Sequence, residues 1–107
     1  MYSWTRGLHP QLVPYFVALL RNAHHLDSSA RVTSTRRSTA EQTRLYRRYL
    51  AGQSRFPVAR PGTSKHEQGR AIDLVARPEV LRRLGLWWES LGGRWGGRFN
   101  DEIHFEA

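Results

Sequence analysis

The stretch Ser64-Lys65-His66-Glu67-Gln68-Gly69-Arg70-Ala71-Ile72-Asp73 places an imidazole and a carboxylate seven residues apart, across a turn and into an apolar run. From Arg70 onward, Ala71, Asp73 and Val75 fall on one face of an extended strand and Ile72 and Leu74 on the other, so the segment reads as a strand buried on both sides. A carboxylate there needs a partner, because its burial is costly unless it is hydrogen-bonded, paired with a cation or bound to a metal. An arginine pair would meet that need as well as a metal, and arginine is abundant in this chain. The last segment, Asp101-Glu102-Ile103-His104-Phe105, adds a second imidazole with a carboxylate three residues before it. Two His, one Asp and a spare carboxylate are the parts of a catalytic zinc site, with three ligands, an open position for water and a base beside it.

The size of the chain, 107 residues, suits a single domain spanning 1–107. Its 17 Lys and Arg against 9 Asp and Glu give a net charge of +8, nearly all from Arg. Such a balance attracts polyanions, whether nucleic acid, anionic lipid, teichoic acid or the carboxylate-rich peptides of peptidoglycan, and does not choose among them. The basic residues are spread along the chain, as on an ordinary solvated surface. Without cysteine there are neither disulfides nor thiolate ligands, so any metal must be held by His and carboxylate. No apolar run is long enough for a membrane span, and Met1-Tyr2-Ser3-Trp4-Thr5-Arg6 lacks the apolar core of a secretory signal.

Leu12, Tyr15, Phe16, Leu19, Leu20 and Ala23 recur at three- and four-residue steps, which predicts a core helix from about residue 12 or 13 to Leu26, with Pro14 in its first turn. His24 and His25 sit at its C-terminal end, where histidines interact with the dipole or solvent. Residues 31–35 are rich in β-branched side chains and predict a strand. Ser38-Thr39-Ala40-Glu41 has the spacing of a capping box, so a helix starts at Thr39, with Leu45, Tyr46, Tyr49 and Leu50 as its apolar stripe and Gly52 at its end. Gln42 then falls just after the Arg36-Arg37 pair, at a strand-to-helix junction, as a ligand contact or as plain surface polarity. Residues 53–65 carry Pro57, Pro61 and Gly62 without apolar period and read as a loop, unusually long for so small a domain. Pro78 opens another helix, with Val80, Leu81, Leu84, Trp88 and Leu91 at helical spacing and Gly85 weakening its middle. Gly92-Gly93 and Gly96-Gly97 frame a short strand or hairpin at Arg94-Trp95, Trp87 and Trp88 read as core, and residues 102–106 form a terminal strand with His104 and Glu106 on one face.

A zinc ion held by His, Asp and His keeps about +1 net charge, polarises a carbonyl oxygen and brings the pKa of a bound water towards about 7. A base must then move the water's proton to the leaving amine, and Asp101, on the approach to the last strand, is the candidate. Arg37 or Gln42 would help stabilise the developing oxyanion, or would clamp a substrate carboxylate.

Ser64-x-His66-x-x-Gly69-x-Ala71-x-Asp73 followed by Asp101-x-x-His104-Phe105 resembles the M15 family of zinc D,D-carboxypeptidases and L-alanyl-D-glutamate endopeptidases, which includes many phage endolysins. Thr33-Ser34-Thr35-Arg36-Arg37-Ser38 with Gln42 is similar to that family's Ser-Gly-Tyr-Arg-Ser-x-x-x-Gln element, Pro61-Gly62-Thr63-Ser64 to its loop into the first ligand, and Trp95-Gly96-Gly97 to its endopeptidase branch. The resemblance covers roughly residues 31–106. It implies an α+β fold of the Hedgehog/DD-peptidase type, a small antiparallel sheet with packed helices. It also implies Zn2+ held by His66, Asp73 and His104, Asp101 as general base, and Arg37, Gln42 and Ser64 binding substrate. Thr35-Arg36 stands where the family has Gly-Tyr, so either arginine is a candidate, and alignment to Ser38 favours Arg37.

The leading expectation is a monomeric endolysin-like peptidase that cuts the peptidoglycan stem peptide at L-Ala-D-Glu. It would be synthesised in the cytoplasm without a signal peptide and reach the cell wall or periplasm by holin-type release or on a virion, its basic surface drawn to the anionic envelope. The alternatives are a D-Ala-D-Ala carboxypeptidase and a non-catalytic, zinc-stabilised wall-binding or virion protein. Retention of Asp101 speaks against the second, since structural zinc needs no base. Specific nucleic-acid binding rests on the arginine content alone.

Overall fold

A computed structural model describes residues 2–107; Met1, the first residue of the expected domain, lies outside them. Three α-helices, α1 (Val13–Leu26), α2 (Thr39–Leu50) and α3 (Pro78–Ser90), accompany four strands, β1 (Arg31–Ser34), β2 (Ala71–Val75), β3 (Arg94–Trp95) and β4 (His104–Glu106). Short 3-10 turns at Ser3–Thr5 and Gly96–Phe99 complete the secondary structure. The strands form one antiparallel sheet in the order β1-β2-β4-β3. This is the expected α+β architecture, and none of the helices among the described residues is long and apolar enough to cross a membrane.

Strand alternation splits β2 between two environments. Ile72 and Leu74 are fully buried against Phe16, Leu19, Leu20 and Ala23 of α1, Val80, Leu81, Leu84 and Trp88 of α3, and Phe105 of β4. Asp73 faces the other way, into a cleft. The core therefore fills one side of the sheet, which stiffens the strand that presents the carboxylate on the other. Two indoles tie the same core to β4, because Trp88 Nε1 donates to the Glu106 carbonyl and Trp95 Nε1 to the Glu102 carbonyl, each at 2.8 Å. Trp88 is buried as expected, whereas Trp87 packs only partly against the core.

Gly85, which reads in the sequence as a weak point of α3, serves packing. A Cβ at this position would enter the Trp95 ring, so the helix approaches β3 only because the side chain is missing.

Three expectations need correction. The stripe of α2 is not a core face, since Tyr49 is 40% and Leu50 66% exposed and the only buried side chain of this helix is Gln42. The helix lies beside the cleft, away from the face of the sheet that the core covers, so it is anchored by a polar contact. The capping box at its start is half formed: Ser38 Oγ accepts from the Glu41 amide at 3.1 Å, while the Glu41 carboxylate turns towards Arg44 at 4.0 Å. The last strand begins at His104 because Asp101–Ile103 is taken up by a turn, in which the His104 amide donates to the Asp101 carbonyl.

Candidate metal centre and cleft

His66 enters the cleft from the turn after the long loop. Its Nδ1 lies 2.7 Å from the Thr35 carbonyl, which can only accept, so Nδ1 carries a proton and, in the neutral ring that can bind a metal, Nε2 offers its lone pair inward. The turn is held from outside by the N-terminal segment, with the His9 amide donating to the Gly69 carbonyl at 2.9 Å. Gly69 itself has φ +69° and packs so closely on the Gly7 carbonyl that a side chain would collide with it.

Asp73 and His104 face one another because β2 and β4 pair in that register. Asp73 Oδ1 lies 3.2 Å from His66 Nε2 and 3.4 Å from His104 Nδ1, and the three prospective ligand atoms all fall within 4.8 Å of one another. A tetrahedral ion with ligands at about 2.0–2.1 Å sets neighbouring ligand atoms roughly 3.3 Å apart, so the constellation fits zinc in both donor type and spacing. The far nitrogen of His104, Nε2, meets Glu106 Oε1 at 2.7 Å, which keeps a proton on Nε2 and leaves Nδ1 as the atom that can give up its proton to a metal.

Arg37 holds the other oxygen of Asp73, Oδ2, at 3.1 Å, leaving Oδ1 to the imidazoles. Its Nε donates to Ser34 Oγ at 3.0 Å and its Nη1 to Gln42 Oε1 at 3.3 Å. A bulge in β1 makes this possible. Val32 pairs with Leu74 and Ser34 with Asp73, so Thr33 is the extra residue and Ser34 is brought opposite the carboxylate. The arginine pair is made through Oδ2 while Oδ1 faces the two imidazoles, so the arginine and metal readings, rivals in the sequence, do not exclude each other. With no metal bound and the imidazoles protonated, burial alone would raise the Asp73 pKa, but hydrogen bonds from His104 and His66 and the charges of His66 and Arg37 outweigh it and hold the group well below the usual carboxylate range.

Arg37, Gln42, Ser64, His66, Asp73, Asp101 and His104 all line one cleft of about 550 Å³. Gln42 is 1% exposed, which removes the surface-polarity reading, and its Nε2 donates to the Ala59 carbonyl at 2.9 Å. This bond fixes the long loop, whose residues Phe56, Pro57, Val58 and Ala59 form a wall of the cleft. Ser64 is buried, and its Oγ accepts from the His66 amide at 3.2 Å. Arg36 does not line the cleft. His24 and His25 stay at the end of α1, the former bonded to the Ala30 carbonyl at 2.7 Å.

Asp101 stands on the turn before β4, where burial and the neighbouring Asp73 carboxylate push its pKa up to about 6. No cation is paired with it among the described residues. A half-buried carboxylate poised near neutrality beside a metal-binding constellation is suited to taking and returning a proton. Gly96 makes the turn possible, since a Cβ there would run into the Asp101 carbonyl.

Two residues escaped the sequence reading. Strand alternation puts Glu106 on the His104 face, but nothing in the sequence marks it as the partner of that imidazole. Glu67 receives the Gly62 amide at 2.9 Å, the Ser64 amide at 3.2 Å and the Thr39 hydroxyl at 2.9 Å, and so ties the loop to the start of α2. Only the spacing Ser64-x-x-Glu67 hinted at it.

The sequence model of the VanY family, described as D-alanyl-D-alanine carboxypeptidase, matches residues 5–99. No curated protein matches the chain. Among solved structures, the L-Ala D-Glu endopeptidase ChiX of Serratia marcescens is 27% identical with a TM-score of 0.61, over 95% of this chain and 81% of that one. The D,D-pentapeptidase VanY from a VanB-type vancomycin-resistance cassette, solved in complex with Zn(II), shares the fold at 23% identity and a TM-score of 0.69, over 92% and 71%. So does the L,D-carboxypeptidase DacB of Streptococcus pneumoniae, at 23% and 0.68, over 97% and 68%.

Proposed function

Because the chain belongs to the VanY family of D-alanyl-D-alanine carboxypeptidases, we propose that it is a zinc-dependent peptidase that hydrolyses the stem peptide of peptidoglycan. The observation that carries this reading is the convergence of His66 Nε2, Asp73 Oδ1 and His104 Nδ1 in the same cleft as an unpaired Asp101. Zinc bound there would polarise the scissile carbonyl and acidify a water molecule.

The protein's own groups divide the remaining work. Thr35 and Glu106 orient the two imidazoles, and Arg37 orients Asp73. Asp101 accepts a proton from the water as its oxygen bonds to the carbonyl carbon, then delivers that proton to the departing amine nitrogen as the C–N bond breaks. The wall formed by residues 56–59, pinned through Gln42, narrows the cleft around an extended peptide. The surface charge of +8 would hold the enzyme near an anionic envelope, in keeping with an endolysin-like role.

Cleavage at L-Ala-D-Glu is the preferred assignment, supported by the 27% identity with the endopeptidase ChiX and the 81% of that chain covered. The family description favours removal of a terminal D-alanine as the second reading. Mass spectrometry of digested sacculi separates them, since the first leaves L-alanine on the sugar and the second releases free alanine. Full activity after thorough chelation, or in the His66→Ala variant, would overturn the zinc mechanism.

A further inference from the structure

Besides the Asp101 carboxylate, the ion pairs of the cleft leave two cations without a partner. Asp73 is matched by Arg37, and Glu106 is bonded to His104, so the positive charge of Arg37 is already balanced where it stands. Lys65 and Arg94 also line the cleft, and neither has an ion-pair partner among the described residues. Lys65 is the only lysine among the chain's 17 basic residues and sits directly before His66. Arg94 is placed by β3, opposite Glu106 in the pairing with β4, and its guanidinium lies over the Phe99 ring at 4.6 Å from the centroid. That contact preorganises a long side chain that would otherwise lose rotamer freedom on binding. The two cations flank the same end of the cleft: Arg94 stands opposite Glu106, Glu106 is bonded to His104, and the His104 ring lies 5.1 Å from that of His66, the neighbour of Lys65.

We propose that Lys65 and Arg94 form an anion subsite that receives a carboxylate of the substrate peptide and so sets which peptides are cut. The assignment rests on the stem-peptide reading above and goes beyond it, because Arg37, the sequence's candidate for clamping a substrate carboxylate, is already paired with Asp73. A guanidinium with parallel N–H groups and an ammonium point charge suit a carboxylate. Stem peptides offer this group at the C-terminus and on the D-glutamate, among other places, and the shared chemistry is what the subsite reads.

The test uses the zinc-loaded full chain and three synthetic stem peptides: the free acid, its C-terminal amide, and the form whose glutamate carboxylate is an amide. The wild type should prefer the free acid over one of the two amides by about tenfold or more in kcat/KM, the size expected for a charge-assisted bond. Arg94→Ala and Lys65→Ala should each shrink that preference, and Arg94→Glu should abolish it, mainly through KM. The amide that is discriminated against identifies the carboxylate. An active wild type that cuts all three peptides equally, or variants that lose activity equally on all three, would overturn the subsite and leave the peptidase standing. A wild type inactive on every peptide would overturn both.

Discussion

Glu106 stands 2.7 Å from the Nε2 of His104, two residues further along the same face of one strand. In an antiparallel strand that spacing is automatic, so the residue that orients the imidazole comes with it in the chain. Removing the negative charge should loosen the metal rather than the fold. Glu106→Gln is expected to weaken zinc affinity about 10- to 100-fold, read by competition with a chromophoric chelator, with an unchanged circular dichroism spectrum. An unaltered affinity would show that the β2–β4 register alone aims His104.

At the same imidazole, a metal ion must displace a proton. Burial acts against a charged His104, but hydrogen bonds to Asp73 and Glu106 outweigh it and push the pKa up to about 9 in the metal-free protein. Near pH 7.5 zinc uptake should therefore release about one proton from this residue, measurable by calorimetry in buffers of different ionisation enthalpy. Its raised pKa also stabilises the metal-free fold below its unfolded pKa of about 6.5, and that contribution is lost as pH rises through about 9. Uptake without proton release would show that His104 is already neutral.

Asp101→Asn tests the base. The side chain keeps its shape but can no longer accept the proton, so kcat should fall by about 10²- to 10⁴-fold while zinc affinity changes little. In the unaltered enzyme Asp101 must be ionised to act, so kcat/KM should climb with pH on an acid limb at or below about 6, a bound cation drawing the value down from there. Loss of only a few-fold in the variant would assign the proton transfer elsewhere.

Gly85→Ala sets two effects against each other. Alanine is the better helix former by about 1 kcal/mol. Its Cβ, however, would have to displace the Trp95 ring, whose indole nitrogen holds the Glu102 carbonyl at the foot of β4. Overpacking of this kind costs about 1–3 kcal/mol, so the variant should be less stable in urea titration. A gain in stability would mean that Trp95 yields freely.

Much of this protein is determined by local sequence alone. The spacing of Phe16, Leu19, Leu20 and Ala23 makes α1, and the Ser38 hydroxyl starts α2. The alternation around Asp73 places apolar side chains on one face of β2 and the carboxylate on the other. These are properties of neighbours in the chain, and helix and strand periods suffice to read them. His66, Asp73, Asp101 and His104 were likewise legible as a set, through their motif, though not as a geometry.

Tertiary structure decided what depends on register and on which faces are covered. That α2 has no core face follows from its place beside the cleft, and its apparent stripe carries no sign of it. The bulge at Thr33, which sets Ser34 opposite Asp73, and the pairing of Asp73 with His104 join residues far apart in the chain, and no local period encodes such a match. Asp73 shows why this matters. Its sequence left an arginine and a metal as rivals, and only the folded sheet turns one carboxylate oxygen to Arg37 and the other to the two imidazoles.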